Sequence, residues 1–438
     1  MELGRNTIHK LGKRIRESYG DGTGYVKDED LKKLQEYRLS YRDAIAEVFK
    51  ILYAVSKKID KHCIVTYRVK RINSIIGKLK RYPTAGLENI VDIAGCRCIS
   101  YNDDYVYKIV KKLIKHPQLT VSQVKDRIKD PKEDGYKSVH LYVNLKALPE
   151  KSIEIQVRSR KQHDWATLVE ISDVIIEGSK LKEYGEPKDL QEFHHILSLS
   201  ENMLTEEQRA MYFDILKKYD YIKLMHHVFI QNLLLRYDWV YTHSSALKNF
   251  FLIESGAYDK TKIDSFQTFT EAESAYFERF KLDSNANLVL TQIPNVTFEQ
   301  LSMAYSNYVL STHNFTNDCI DRCFNEIRRA MRDRNFALYK KVIETYFNVT
   351  AHQMIRFNQE IYVINRTPLL QNNPKHREWL KDLQKQNALL LSRRDKLGHI
   401  YKETKMSEAN LFTRFRFESY FKKMRKKYDE FFTQEMHK

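Results

Sequence analysis

The chain has 438 residues, 42% hydrophobic and 12% aromatic, which excludes a disordered chain and leaves room for about two to four packed domains. Its formal charge of +17 is uneven: residues 1–180 carry 36 Lys+Arg against 24 Asp+Glu, whereas the rest carry 38 against 33. The N-terminal excess implies an anionic partner there, nucleotide phosphates or RNA.

Five cysteines are too few for a disulfide framework in a chain of this length. Cys96 and Cys98 alternate within an apolar run and read as packing residues, and Cys319 and Cys323, four apart on a helix, lack the partners of a zinc site. There is no run of about eighteen apolar residues and no signal-peptide core, so the expectation is a cytoplasmic protein without membrane contact.

Asp28 to Asp60 reads as one long helix, with Leu31, Leu34, Tyr37, Tyr41, Ile45, Val48, Leu52, Val55 and Ile59 at three- and four-residue steps. An extended piece, Val65–Lys70, then passes into a helix whose apolar side is Ile72, Ile75, Ile76 and Leu79. Arg68 and Lys70 share one side of the extended piece, and Ser74 and Lys78 align on the helix. Taken alone, the run reads as a solvated basic face sooner than as a triphosphate cradle, though it fits both. Asp92 sits among apolar residues, where a carboxylate needs a partner or a metal. Gly95 and Arg97 open a strand, and a helix over Asp104–His116 covers the sheet.

Asp130-Pro131-Lys132-Glu133-Asp134-Gly135-Tyr136-Lys137-Ser138-Val139-His140 combines turn residues, two lysines and an aromatic, then alternates as a strand. Alone it reads as a phosphate-binding turn or as an ordinary basic hairpin. In Ser152–Arg158, Ile153, Ile155 and Val157 face a core while Glu154, Gln156 and Arg158 share the other face, beside Ser138 and His140 if the strands form a hairpin. A glutamate and a buried aspartate from separate strands, ringed by Arg and Lys, suit Mg²⁺-dependent phosphoryl transfer.

Residues 181–240 read as helices, including Glu206–Lys218 and Tyr221–Tyr237. Asn249–Ile253, Lys262–Phe269 and Asn287–Ile293 read as strands, with helices over Thr270–Phe280 and Thr297–Tyr308. Residues 313–410 return to helix, and Arg414–Lys427 is a basic, aromatic-interleaved helix that fits RNA or packs on the body. The expected divisions are 1–180, a helical extension 181–242, a small α/β module 243–312 and a helical C-terminal region 313–438.

Four motifs occur in order: Arg68-x-Lys70-x-x-x-Ser74, Asp92-Ile-Ala-Gly95-x-Arg97, Asp126-x-Ile-x-x-Pro131-Lys132-x-x-Gly135-Tyr136-x-Ser138-x-His140, and Glu154-Ile-Gln156-Val-Arg158. With Trp165-Ala166 they resemble the synthetase domain of the RelA/SpoT alarmone synthetases, over roughly residues 40–180. The resemblance implies an α+β fold, a mixed sheet flanked by helices of the nucleotidyltransferase type. It also implies transfer of the β,γ-pyrophosphoryl group of ATP to the 3′-hydroxyl of GDP or GTP.

By the same resemblance, Arg68, Lys70, Ser74, Lys78 and Arg97 would hold ATP. Asp92 and Glu154 would hold Mg²⁺, with Glu154 assisting deprotonation of the acceptor. Tyr136 would stack on the acceptor base, with Asp134 at the position that helps read the guanine and Lys125, Lys132, His140 and Gln156 around the acceptor's phosphates and ribose. Two residues depart from the family pattern, Asp134 where asparagine is usual and Arg127 where an aromatic is common, and both bear on the acceptor. The alternative is a toxin-type member that modifies the 3′-end of tRNA under control of its C-terminal region. A hydrolase activity is not expected, because only about forty residues precede the match, and His163-Asp164 reads as local structure. Self-association is left open.

Overall fold

The computed structural model describes residues 4–20, 26–82, 84, 86–229, 249–255, 262–283, 287–292, 312–333, 335–366, 368–372, 374–407, 426–427 and 430–431. The chain forms two compact units, Met1–Glu170 with Ser245–Val309, and Ile171–Ser244 with Leu310–Lys438.

The first unit begins with helices α1 (Arg5–Gly20), α2 (Asp28–Leu39) and α3 (Arg42–Ile59). The single helix expected over Asp28–Asp60 is therefore broken at Ser40–Tyr41. The Ser40 hydroxyl donates to the Tyr37 carbonyl at 2.7 Å, competing with the helical ladder. The break leaves Ser40 Oγ 2.8 Å from Lys151 Nζ. Strand β1 (Ile64–Val69), helix α4 (Ile72–Arg81), strand β2 (Ala94–Ser100), helix α5 (Asp103–Ile114), strands β3 (Leu119–Asp126), β4 (Val139–Leu145) and β5 (Leu148–Ser159), and helix α6 (Arg160–Ile175) follow. Asn102 caps α5 by accepting from the Tyr105 N–H at 3.0 Å.

Strands β6 (Phe250–Ser255), β7 (Lys262–Phe266) and β8 (Asn287–Gln292) were expected to form a module of their own. They instead extend the same sheet, whose order is β3-β4-β5-β2-β1-β8-β6-β7. The physical reason is edge pairing: a three-stranded fragment would expose β8, and β8 pairs antiparallel with β1 through Val65–Gln292, Thr66–Thr291 and Tyr67–Leu290. Among the described strands, only β2 and β5 run parallel; the other pairs are antiparallel.

Side chains alternate across this sheet. Val65, Tyr67, Cys96, Cys98, Leu141, Ile153, Ile155, Val157 and Leu290 are buried in one core. Cys96 and Cys98 are thus packing residues. Helix Phe269–Leu282, closed by a Thr268–Glu271 capping box, joins that core. Tyr67 lies 5.3 Å from the Phe49 ring and 5.4 Å from the Tyr276 ring, both edge-on. Such aromatic pairs contribute about 0.5–1.5 kcal/mol each beyond area burial.

The second unit is helical in its described part: Leu181–Tyr184, Lys188–Ser198, Glu206–Lys218, residues 221–229, Thr312–Arg332, Phe336–Arg366, Pro368–Gln371 and Pro374–Ser407. Phe193 stacks on Tyr212 at 5.4 Å, and Arg209 pairs with Glu326 in the interior. Cys319 and Cys323 are buried. The expected helix Thr297–Tyr308 and nearly all of the basic tail Arg414–Lys427 lie outside the described residues. No described helix is long and apolar enough to cross a membrane.

Candidate active site

The sheet face opposite the core is polar, and strand register arranges it in rows. One row runs Tyr142, Glu154, Gly95, Arg68 across β4, β5, β2 and β1; the next runs Lys125, His140, Gln156, Arg97, Thr66 from β3 to β1. Gly95 matters by what it lacks. A Cβ there would stand 3.3 Å from the Glu154 carbonyl oxygen, so glycine keeps a side chain out from between Arg68 and Glu154.

Asp92 sits in the turn before β2. Its Oδ2 accepts from Lys70 Nζ at 2.6 Å and its Oδ1 from Lys78 Nζ at 2.8 Å. Lys78 is presented by α4, whose Ile72, Ile75, Ile76 and Leu79 are buried on the other side; Ser74 is half-buried one turn earlier. Burial opposes the ionised form of Asp92, but the two ammonium groups outweigh it and hold the carboxyl below its ordinary value. Burial pulls Lys70 below the usual lysine value, aided by the charges of Lys78 and Arg68.

Lys70 is also held by its backbone. Its N–H donates to the Ile93 carbonyl at 2.8 Å and its carbonyl accepts from Arg38 Nε at 2.8 Å. The β1–β8 ladder ends at Tyr67, and the N–H of Val69 donates instead to Tyr276 Oη at 2.9 Å.

The second cluster is a hydrogen-bonded chain. Tyr136 Oη is 3.0 Å from His140 Nε2, His140 Nδ1 is 2.8 Å from Glu154 Oε1, and Gln156 Nε2 donates to Glu154 Oε2 at 3.0 Å. Tyr142 Oη donates to Glu154 Oε1 at 3.3 Å, and Arg97 Nε reaches Gln156 Oε1 at 3.4 Å. An ionised Glu154 only accepts, so His140 carries its proton on Nδ1. Burial raises Glu154 most strongly of any single cause, but the hydrogen bond and charge of His140, with the Gln156 bond, together outweigh it and leave the carboxyl below its ordinary value. The charge of Asp92 acts on it in the opposite sense, although the two carboxylates share no hydrogen-bonded partner.

Arg97 is pulled down to about 9, first by burial and then by Arg158 and Arg68. Glu170 of α6 counters the positive charge of both Arg97 and Arg158.

The loop after β3 is folded on itself. Gly135 has φ +91°, its N–H donates to the Lys132 carbonyl at 2.9 Å, and Asp134 Oδ1 accepts from the Tyr136 N–H at 2.9 Å. Asp134 thus spends one oxygen on the turn that presents Tyr136. Lys132 Nζ stands 5.3 Å over the Tyr136 ring and Lys125 Nζ 5.2 Å over the Tyr142 ring, both lysines exposed at the rim. Arg127 pairs with Asp130 at 2.7 Å. His163 is buried 2.7 Å from Arg158 Nη2, which suits a structural role.

The structure therefore brings Lys70, Lys78 and Asp92 into one group, and Arg97, Tyr136, His140, Glu154 and Gln156 into another. Sequence reasoning missed Tyr142, Glu170, Arg38 and Tyr276. Tyr142 was readable, two residues beyond His140 on the same strand face; Arg38 and Tyr276 act across 32 and 207 residues.

Residues 67–172 match the family profile described as a region found in RelA / SpoT proteins. The chain is similar to GTP pyrophosphokinase YwaC of Bacillus subtilis (strain 168), 33% identical over 139 residues, which cover 29% of this chain and 66% of that protein. It is 30% identical to GTP pyrophosphokinase YjbM of the same organism over 152 residues, covering 32% of this chain and 72% of the relative. Among solved structures, small alarmone synthetase 1 from Bacillus subtilis bound to its product pppGpp aligns over 42% of this chain and 96% of its own, with 23% identity and a TM-score of 0.34.

Proposed function

The chain belongs to the RelA/SpoT family, and on that premise we propose that it is a pyrophosphokinase. It transfers the β,γ-pyrophosphoryl group of ATP to the 3′-hydroxyl of a guanosine nucleotide, GDP or GTP. The observation that carries this reading is the polar sheet face, where the Lys70–Asp92–Lys78 group adjoins rows holding Arg68, Arg97 and Glu154.

Phosphoryl transfer asks little covalent chemistry of the protein, so positioning and charge neutralisation dominate. Lys70, Lys78, Arg68 and Arg97 bind and orient the donor's phosphates, with Ser74 beside them on α4. Glu154 accepts the proton of the attacking hydroxyl. Its depressed pKa makes it a weak base in the resting site, which suffices where the transition state is loose and the nucleophile loses its proton late. His140, Tyr142 and Gln156 fix the carboxylate's orientation. Tyr136, on its rigid turn, offers the acceptor base a flat face, with Lys125 and Lys132 at the rim and Asp134 beside it.

Asp92 and Glu154 suit Mg²⁺: they are partly buried carboxylates, and Gly95 leaves the space beside Glu154 clear. No described group of three or more His, Cys, Asp or Glu could hold a metal, in keeping with an ion that takes one or two carboxylates and completes its shell with phosphate and water. When bound, the ion would neutralise phosphate charge.

A second reading keeps the chemistry and changes the acceptor to the 3′-end of tRNA. It is favoured by the exposed lysines Lys125, Lys129 and Lys132 on edge strand β3 and its loop, a surface that suits a polyanion. The test incubates the purified chain with γ-labelled ATP and GDP, GTP or deacylated tRNA. Label on the nucleotides supports the first reading, and label on tRNA alone replaces it with the second. Glu154→Gln should abolish transfer to either acceptor; full activity in that variant would refute the assignment of Glu154.

A further inference from the structure

We propose that this site admits a divalent cation only after a polyphosphate anion has drawn Lys70 and Lys78 away from Asp92, so that anion and cation bind cooperatively with the anion leading. The inference rests on the donor assignment above and adds an order of events to it.

The geometry is specific. Both Asp92 oxygens are occupied, Oδ2 by Lys70 at 2.6 Å and Oδ1 by Lys78 at 2.8 Å. These are charge-assisted distances, and an ammonium at that range lies where a cation at about 2.1 Å from the same oxygen would have to approach. Glu154 offers no easier entry, since Oε1 takes His140 and Tyr142 while Oε2 takes Gln156. Around Asp92 stand two ammonium groups for one carboxylate, so an arriving cation meets net repulsion.

A chain of phosphates reverses each of these terms. It carries more charge than Asp92, and lysine is a flexible point-charge donor that can swing to it. The side chains of Lys70, Lys78 and Asp92 keep 24%, 28% and 21% of their surface, so a solute can reach them. Once the ammonium groups face phosphate, Asp92 is an uncompensated, partly buried carboxylate, which favours a hard cation. Linkage then requires that the cation tighten the anion by the same factor.

The test titrates Mn²⁺ into the nucleotide-free full chain and counts free Mn²⁺ by electron paramagnetic resonance. Lys78→Met and Lys70→Met should each bind Mn²⁺ about tenfold or more tighter than the parent chain, because each frees one Asp92 oxygen. Lys80→Met, which removes a charge of the same helix without touching Asp92, should leave the affinity within about twofold. Adding Asp92→Asn to Lys78→Met should erase the gain. Separately, a non-hydrolysable ATP analogue should bind the parent chain in excess EDTA, measured by calorimetry.

A parent chain that already binds Mn²⁺ as tightly as the two lysine variants overturns the ordering. If the analogue still binds in EDTA in that case, the donor assignment survives. If the analogue fails to bind with or without Mn²⁺, the donor assignment falls and the ordering with it.

Discussion

Arg38 grips the backbone of Lys70. The guanidinium donates from Nε to the Lys70 carbonyl at 2.8 Å and from Nη1 to Gln35 Oε1 at 2.5 Å, and its Cζ stands over the Phe280 ring, 4.0 Å from the centroid. It is fully buried, and burial lowers its pKa to about 9. A charge is kept in the interior, and what it holds is the strand end that carries Lys70, the lysine proposed to face the donor. Arg38→Met should destabilise the chain by about 3 kcal/mol in urea unfolding, because the Lys70 carbonyl and Gln35 lose a buried partner. It should also raise the KM for ATP more than it changes the KM for the acceptor; an unchanged ATP KM would make the contact purely structural.

Tyr276→Phe removes only the hydroxyl that receives the Val69 N–H. The orphaned buried amide should cost about 1–3 kcal/mol, read as a lower urea midpoint with an unchanged slope. Tyr276→Leu should cost more, because the ring contacts to Tyr67 and Phe280 go as well. Equal losses in the two variants would deny the hydrogen bond any role.

Tyr142→Phe tests the orientation of Glu154. It deletes one of two donors to Oε1 and leaves the His140 bond at 2.8 Å in place. The expected result is a fall in kcat of about tenfold with little change in either KM, the signature of an interaction that matters in the transition state.

His194 gives a pH prediction. It is buried with Nε2 2.9 Å from Ser172 Oγ, and burial lowers its pKa from the ordinary 6.5 to about 3. The unfolded chain takes up a proton below about 6.5 and the folded chain does not, so the stability of the neutral form is full above that pH and is lost as pH falls towards the folded value. The loss should run at about 1.4 kcal/mol per pH unit between pH 6 and pH 4. Urea midpoints of His194→Gln should show a flatter pH dependence over that interval than those of the parent chain.

The strands and the motif-bearing face were legible because alternation is a local signal. Ile153, Ile155 and Val157 against Glu154, Gln156 and Arg158 appear in the structure as read. The helix break at Ser40 was hidden because apolar spacing continues through it, and a hydroxyl bond to a carbonyl three residues back leaves no trace in that spacing. The mutual occupation of Asp92, Lys70 and Lys78 was also invisible. Sequence proximity places these charges near one another but cannot say whether they face a ligand or each other. The place of β6, β7 and β8 was missed for a different reason: a strand's pattern shows which face is buried, not which neighbour it pairs with.

That pairing bears on how the chain comes off the ribosome. The matched stretch ends at residue 172, yet β1, which carries Arg68, has as its neighbour β8, which begins at residue 287, well beyond that end and more than two hundred residues after β1 itself. Until that segment emerges, β1 is a raw sheet edge and Val69 lacks the tyrosine that satisfies its amide. A fragment cut at the end of the family match would carry the same defect permanently. The strand that carries Arg68, proposed above to face the donor, thus takes its last neighbour from a segment far downstream that contributes no chemistry of its own.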